Sequence, residues 1–187
     1  NLIAKSFTFF MIIILFSVSF WSETLIIFFS SEAYLDAKKF IFPLSLAYLI
    51  YGLGNILNIG IKLAKRSDLN LLSHLIFYFS TIFFFNIFIS KNIFLGIAWS
   101  IVFGQVILIF LEYYFAQKVF PIEWKFLKSL SVSVGIIFLI YFLQDLNLNI
   151  ASKFLIFLIT NILIFSIFYF TIINNNDRKK ISHLYKI

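Results

Sequence analysis

The sequence predicts an all-α integral membrane protein, built as a bundle of six transmembrane helices. Hydrophobic residues make up 62% of the 187-residue chain, against roughly 45 to 50% in soluble domains. Charged residues amount to only 12%, and the mean hydropathy is +1.02. The apolar residues fall into long runs divided by short polar breaks, and the runs have about the 20-residue length that a helix needs to cross a bilayer.

The predicted helices follow one another through most of the chain. In order they cover residues 7–29 (helix A), 40–63 (helix B), 69–89 (helix C), 93–115 (helix D), 126–142 (helix E) and 153–173 (helix F). Each is apolar on nearly every face, as expected for a helix surrounded by lipid. Polar breaks at 65–68, 90–92 and 144–145 separate them. Helix E is the shortest, and residues 174–187 are predicted to form a basic cytoplasmic tail.

Helix B carries most of the polar side chains found inside the predicted spans. Its polar and small residues recur at steps of three and four, which places them on one face of a helix; they are Tyr48, Tyr51, Gly52, Asn55, Asn58 and Lys62. Such a face is explained either as the wall of a hydrated cavity or as a seam that packs and hydrogen-bonds with a neighbouring helix. Gly52 is assigned to packing, and the other five are cavity candidates.

Helix D contains a small-residue seam at every fourth position, formed by Gly96, Ser100 and Gly104. This spacing is typical of helices that approach each other closely in membranes. Gln105 lies in the middle of the span and joins the cavity candidates. Glu112 is expected at the lipid–water interface near the end of helix D, where an ionised carboxylate costs little. No acidic or basic residue is expected at mid-span, so the segment is not predicted to hold a coupling-ion site alone.

The distribution of positive charge predicts the orientation of the helices. With the N-terminus inside, most of the 15 Lys and Arg residues fall in inner segments, as the positive-inside rule requires. Both termini are therefore predicted to be cytoplasmic. The chain begins at Asn1 and its only methionine, Met11, lies within the first apolar run. Because a cleaved secretory signal would leave Asn1 outside, we expect a fragment of a longer protein.

The composition argues against an enzyme. Acid–base catalysis needs a carboxylate pair or a histidine oriented by an acid, and the two histidines, His74 and His183, have no acid placed to orient them. The chain has no cysteine, which excludes disulfides and thiolate metal sites. No metal or cofactor is expected. The net charge of +7 is carried by short basic runs between apolar segments, which favours anionic lipid headgroups over nucleic acid as a partner.

The order of these features resembles a known transporter family. It begins with the predicted outer loop at 29–37 and the Gly- and Asn-containing helix B, and continues with a Lys/Arg turn and Asn86 in helix C. The small-residue helix D and the inner segment Pro-Ile-Glu-Trp at 121–124 complete it. This run is similar to the C-terminal half of the O-antigen and capsule polysaccharide flippases, in the multidrug and polysaccharide exporter superfamily. The resemblance implies one half of a two-lobed, MATE-like transporter.

That resemblance implies export of an undecaprenyl-diphosphate-linked oligosaccharide for surface polysaccharide such as lipopolysaccharide O-antigen, by alternating access across the bacterial cytoplasmic (inner) membrane. The implied partners are the lipid-linked oligosaccharide, membrane lipids and the missing N-terminal half. Tyr48, Tyr51, Asn55, Asn58, Lys62 and Gln105 would then line a glycan cavity. Two alternatives stay open: a multidrug or cation antiporter of the same superfamily, and a non-transporting membrane anchor in a polysaccharide assembly complex.

Overall fold

The computed structural model describes residues 2–91, 93–124, 127–143 and 149–169. Within these ranges the chain is helical, apart from turns and short connections. The helices are α1 (Leu2–Phe20), α2 (Ser22–Phe29), α3 (Lys38–Leu57), α4 (Ile59–Leu63), α5 (Ser67–Ser90), α6 (Gly96–Val119), α7 (Leu127–Leu143) and α8 (Ile150–Ile167). A 3₁₀ helix over Glu32–Ala37 leads into α3. The predicted basic tail at 174–187 lies outside the described residues.

Five segments of the described chain are long and apolar enough to cross a membrane. They are Ile3–Phe20, Glu32–Leu63, Ser67–Ser90, Gly96–Val119 and Ile150–Ile167. The chain is therefore a multi-pass helical membrane protein. Predicted helix E corresponds to α7, which at 17 residues is shorter than these five, so the sixth span stays a prediction.

Two of the predicted helices are divided in the structure. Predicted helix A is interrupted at Trp21, where φ is −94° and ψ is 11°, so that α1 ends at Phe20 and α2 begins at Ser22. Predicted helix B is interrupted at Asn58, where φ is −79° and ψ is 4°. There the N–H of Ile61 donates to the carbonyl of Asn58, three residues back, at 2.9 Å. Asparagine is a weak helix former because its side chain can hydrogen-bond nearby backbone groups in competition with the helix.

The chain divides into two compact units, the first formed by residues 1–20 and 124–187 and the second by residues 21–123. In the first unit α1 packs against α7 and α8. Phenylalanine rings make the contact between α1 and α8: Phe9 stacks on Phe168 with ring centroids 4.2 Å apart, and Phe16 stacks on Phe157 at 5.5 Å. Dispersion between well-fitted side chains supplies the attraction in lipid, where no hydrophobic drive acts between helices.

In the second unit α6 is the central helix and packs against α3, α4 and α5. Small residues let the backbones approach on this helix. A Cβ at Gly104 would collide with the Thr81 hydroxyl of α5, and a Cβ at Gly60 of α4 would lie 2.9 Å from the Phe120 carbonyl. Glycine is required at such positions because any side chain would push the helices apart.

The turn between α4 and α5 carries the predicted basic cluster. Lys65 adopts φ 54°, in the left-handed region, and the N–H of Arg66 donates to the Ile61 carbonyl at 3.1 Å. The N–H of Lys65 donates to the Lys62 carbonyl at 3.1 Å. These two bonds define a Schellman motif, which satisfies the last carbonyls of α4. Arg66 also pairs with Asp68 at 2.7 Å, and the hydrogen bonds and charge of Asp68 raise the pKa of the Arg66 guanidinium above its ordinary value.

Candidate functional site

A cavity of about 320 Å³ lies within the second unit, bounded by α3, α5 and α6. Each helix contributes residues at the three- and four-residue spacing of one helical face. The apolar wall is formed by Leu44, Ala47, Phe77, Ile101 and Leu108, and the polar groups are Tyr48, Tyr51, His74, Tyr78 and Gln105. Ligand pockets of this size are commonly apolar with a few converging polar groups, so this cavity is a candidate binding site.

The polar groups of the cavity offer both hydrogen-bond donors and acceptors. Nδ1 of His74 lies 2.9 Å from the carbonyl of Asn70. A carbonyl oxygen can only accept, so Nδ1 carries the hydrogen and donates it. Oε1 of Gln105 is buried and has no hydrogen-bond partner among the described residues. The phenols of Tyr48, Tyr51 and Tyr78 can both donate and accept.

The cavity opens at the surface of the second unit. Both α3 and α5 pack on α6, and the two tyrosines that flank the opening from α3 and α5, Tyr48 and Tyr78, have 70% and 58% of their surface exposed. In a membrane-spanning bundle such a surface meets lipid or a neighbouring segment. A ligand in this cavity can therefore leave part of its structure outside the protein.

Only three of the six predicted cavity residues line the cavity in the structure. Tyr48, Tyr51 and Gln105 line the cavity together. Asn55 is exposed, and its Nδ2 donates to the carbonyl of Tyr51 at 3.3 Å. Lys62 is exposed on α4, and Asn58 is buried with 2% of its surface accessible. The break at Asn58 ends the single helical face that the spacing predicted, and Asn55, Asn58 and Lys62 do not border the cavity.

The predicted packing residues lie mainly on α6. Ser100 is buried, and its hydroxyl donates to the Ile97 carbonyl at 2.6 Å. Gly96 lies against Phe88, and Gly104 lies against Thr81 and Phe77, all three on α5. Gly52, on α3, is half-buried.

Glu112, which was predicted to lie at the lipid–water interface, is buried by neighbouring helices. Only 3% of its surface is exposed, and Nδ2 of Asn58 donates to its Oε1 at 2.8 Å. The carboxyl group lies against Gly54, where a Cβ would come within 2.6 Å of Oε2. The packing of α3 and α4 on α6 decides the exposure of Glu112, whereas its depth in the membrane stays a prediction.

Sequence reasoning also missed two residues that line the cavity, His74 and Tyr78. They lie four residues apart on α5 with Phe77 between them. Their common face is visible in the spacing alone, but helix C is so uniformly apolar that the spacing does not show which face meets protein.

Comparison with protein-family models, with curated proteins and with solved structures found no match to this chain. Among the described residues no group of three or more His, Cys, Asp or Glu side chains is placed to hold a metal ion. The chemistry of the cavity and of the buried Glu112 is therefore the basis for assigning a function.

Proposed function

We propose that this chain is part of a flippase that carries a lipid-linked oligosaccharide across the bacterial cytoplasmic membrane by alternating access. In this proposal the chain forms one six-helix half of a two-lobed transporter, with both termini in the cytoplasm. The proposal is supported by the order of sequence features that resembles polysaccharide flippases and by the membrane-spanning character of the helices. No covalent bond is made or broken in this activity.

The observation that carries the proposal is the chemistry of the cavity between α3, α5 and α6. Sugars present hydroxyl groups that donate and accept hydrogen bonds, together with apolar faces that pack on aromatic rings. Three phenols, an imidazole and the buried amide of Gln105 meet both requirements. A buried amide oxygen without a partner loses free energy, and a sugar hydroxyl would satisfy Oε1 of Gln105.

The position of the cavity also suits a substrate with a long lipid tail. Its flanking tyrosines, Tyr48 and Tyr78, are exposed at the surface of the second unit. A glycan could occupy the polar groups while the polyprenyl chain stays in the surrounding lipid, which avoids moving a large apolar group through the protein. The glycan would leave through the same opening after the bundle changes conformation.

The test is complementation of a flippase-null bacterial strain by the full-length parent gene, scored as surface polysaccharide. We expect wild type to restore the polysaccharide and Gln105→Leu to reduce it at least about fivefold, since a lost hydrogen bond in a desolvated site costs about 1 to 3 kcal/mol. Asn86→Leu is the matched control, because Asn86 is an exposed amide on α5 outside the cavity. Equal polysaccharide from Gln105→Leu and Asn86→Leu, at equal membrane levels, would contradict the assignment.

A cation or multidrug antiporter is the second candidate, and buried Glu112 favours it. A carboxylate buried inside a membrane-spanning helix is typical of ion and cationic-substrate pathways. The antiporter would protect cells against lipophilic cations, and Glu112→Gln would remove that protection. Protection by wild type without restored polysaccharide would select this function over the flippase.

A further inference from the structure

We propose that the groove between α7 and α8 binds one acyl chain of a membrane phospholipid as a resident structural lipid. The groove has a volume of about 470 Å³ and lies within the first unit. Its wall on α7 runs from Gly135 to Leu143, and its wall on α8 runs from Thr160 to Ile167. This lipid site stands independently of the proposed function, because the cavity that the glycan would occupy belongs to the second unit.

The lining of the groove offers no hydrogen-bonding group to a polar ligand. Apart from Gly135 and Thr160, the residues that line it are leucine and isoleucine. Thr160 is buried, and its hydroxyl donates to the Ile156 carbonyl at 2.7 Å. Water in an apolar space gives up hydrogen bonds, so cavities of this kind stay dry. The occupant that fits this lining is therefore a hydrocarbon, in contrast to the sugar proposed for the cavity of the second unit.

The groove exists because α7 and α8 make little contact with each other. Helix α1 packs against both of them, whereas α7 and α8 have no substantial contact of their own among the described residues. At Gly135, on the α7 wall, no described atom lies within 4 Å of an added Cβ. Unfilled space forfeits the dispersion attraction of the atoms around it, and van der Waals packing is a main source of stability between membrane helices. A hydrocarbon chain in the groove would restore that attraction.

The dimensions of the groove fit an acyl chain better than another helix. Leu143 comes eight residues after Gly135, a helical rise of about 12 Å. This length is close to that of one leaflet, which is half of the roughly 30 Å hydrocarbon core. Over that length, about 470 Å³ gives a cross-section of about 40 Å², half that of a helix about 10 Å wide. The groove therefore admits a hydrocarbon chain and excludes the body of a helix.

Phospholipid chains can enter the groove from the surface of the first unit. The α8 wall belongs to the candidate span Ile150–Ile167, so the groove lies at the depth of the hydrocarbon core. Leu139 on the α7 wall and Leu163 on the α8 wall have 50% and 54% of their surface exposed. Acyl chains of phospholipids make up the hydrocarbon core at this depth. They are therefore the apolar groups that meet the groove in the largest amount.

The first test titrates the purified, delipidated full-length protein in detergent with phosphatidylglycerol that carries a diazirine on one acyl chain. Light attaches this chain to nearby residues, and peptide mass spectrometry identifies them. We expect labelling at Leu139 and Leu163 that saturates and that unlabelled phosphatidylglycerol displaces. Labelling at Phe79 and Phe83, which are exposed on α5, should rise with probe concentration without saturating, because no groove holds the chain there.

A variant that fills the groove should remove the labelling. Gly135→Phe places a ring in the groove, and we expect it to reduce labelling at Leu163 at least about fivefold, since two groups cannot share a packed volume. Val134→Phe is the matched control, because Val134 is the neighbouring residue, is 58% exposed and lies outside the lining. We expect Val134→Phe to be labelled as wild type is.

A second pair of variants narrows the groove from the opposite wall. Leu163→Trp enlarges a lining residue of α8, and we expect it to reduce labelling at Leu139. Its matched control is Ile162→Trp, because Ile162 is 65% exposed and lies outside the lining. This pair tests the site even where Gly135→Phe fails to fold.

A second readout is the midpoint of thermal unfolding, Tm. A ligand that binds only the folded state raises Tm, so adding phosphatidylglycerol to the delipidated protein should raise the Tm of wild type and of Val134→Phe. We expect a smaller rise in Gly135→Phe, where the ring already fills the groove. The difference between the two variants separates the groove from the general effect of lipid on a membrane protein.

Labelling results of four kinds would overturn the proposal. Labelling of Leu139 and Leu163 that does not saturate would make the groove part of the ordinary lipid-facing surface. Equal labelling of a groove-filling variant and its control would place the bound chain elsewhere. Displacement by a polyprenyl phosphate but not by phosphatidylglycerol would assign the groove to a carrier lipid. Absence of labelling there would mean that a protein segment covers the groove.

These measurements contain no glycan, so they separate the lipid site from the flippase. A labelled groove without polysaccharide complementation would leave the lipid site in place and reject the proposed substrate. Complementation without a labelled groove would do the reverse.

Discussion

Helices α1 and α8 of the first unit meet through stacked phenylalanine rings, whereas α3 and α6 of the second unit meet around a buried amide and carboxylate. Phe9 stacks on Phe168 in the first contact, and Asn58 donates to Glu112 in the second. Ring stacking tolerates sliding and rotation, because dispersion has little directionality. A hydrogen bond between two single polar groups fixes one register. The contact in the second unit is therefore the more specific of the two.

The largest loss in the free energy of unfolding is expected from Phe16→Ala in α1, which tests the ring contact of the first unit. Phe16 is fully buried and stacks on Phe157, and deleting a buried phenyl ring typically costs about 3 to 5 kcal/mol. The free energy of unfolding in mixed detergent micelles would measure the loss. Phe10→Ala is the matched control, since 62% of Phe10 is exposed. An equal loss in both variants would show that the rings do not hold α1 in place.

The second prediction concerns Gly104→Ala in α6. The added Cβ would collide with the Thr81 hydroxyl and lie 3.1 Å from the Phe77 ring, and overpacking of this kind costs about 1 to 3 kcal/mol. Hydrogen exchange read by mass spectrometry should show faster exchange in α5 and α6 and no change in α1 and α8. Unchanged exchange throughout would mean that the α5–α6 seam adjusts without cost.

The third prediction concerns the hydrogen bond between Asn58 and Glu112. Glu112→Leu removes the nearer of the two acceptors of the buried Asn58 amide and leaves only Asn70, at 3.4 Å. We expect a loss of about 1 to 2 kcal/mol in the free energy of unfolding. Combining it with Asn58→Leu should recover part of that loss, because both polar groups are then gone. In a double-mutant cycle the coupling energy should be about 0.6 to 1.7 kcal/mol, as for other hydrogen bonds between membrane helices. Additive losses would mean that the two groups act separately.

The smallest effect is expected from Gly135→Ala in α7, and it has the opposite sign to Gly104→Ala. No described atom lies within 4 Å of a Cβ at this position, so the alanine meets no obstacle. Alanine favours a helix over glycine by about 0.5 to 1 kcal/mol, and we expect stabilisation of this size. A destabilised Gly135→Ala would indicate that a helix packs against this face in the assembled protein.

The helical, membrane-spanning character of the chain could be predicted because it depends on the sum of apolar residues over each run. The breaks at Trp21 and Asn58 could not, because hydropathy averages over about 20 residues and one polar or aromatic position hardly changes it. At both breaks it is ψ that leaves the helical range, at 11° for Trp21 and 4° for Asn58.

The candidate site was only partly visible in the sequence. Tyr48, Tyr51 and Gln105 could be selected because polar groups inside a span are rare. Their relation to His74 could not, since it depends on how α5 lies on α6. The burial of Glu112 could not be predicted for the same reason. Its position along the helix can be read from the sequence, but its hydrogen-bond partner Asn58 lies 54 residues away in the chain.

The Asn58–Glu112 bond has a consequence for how the protein is made. Synthesis proceeds from the N-terminus, so Asn58 enters the membrane well before Glu112 leaves the ribosome. During that interval the Asn58 amide lacks its nearer acceptor, which lies 2.8 Å away in the folded protein. Insertion of α3 to α6 is therefore expected to be cooperative, with α6 as the last of the four helices to enter.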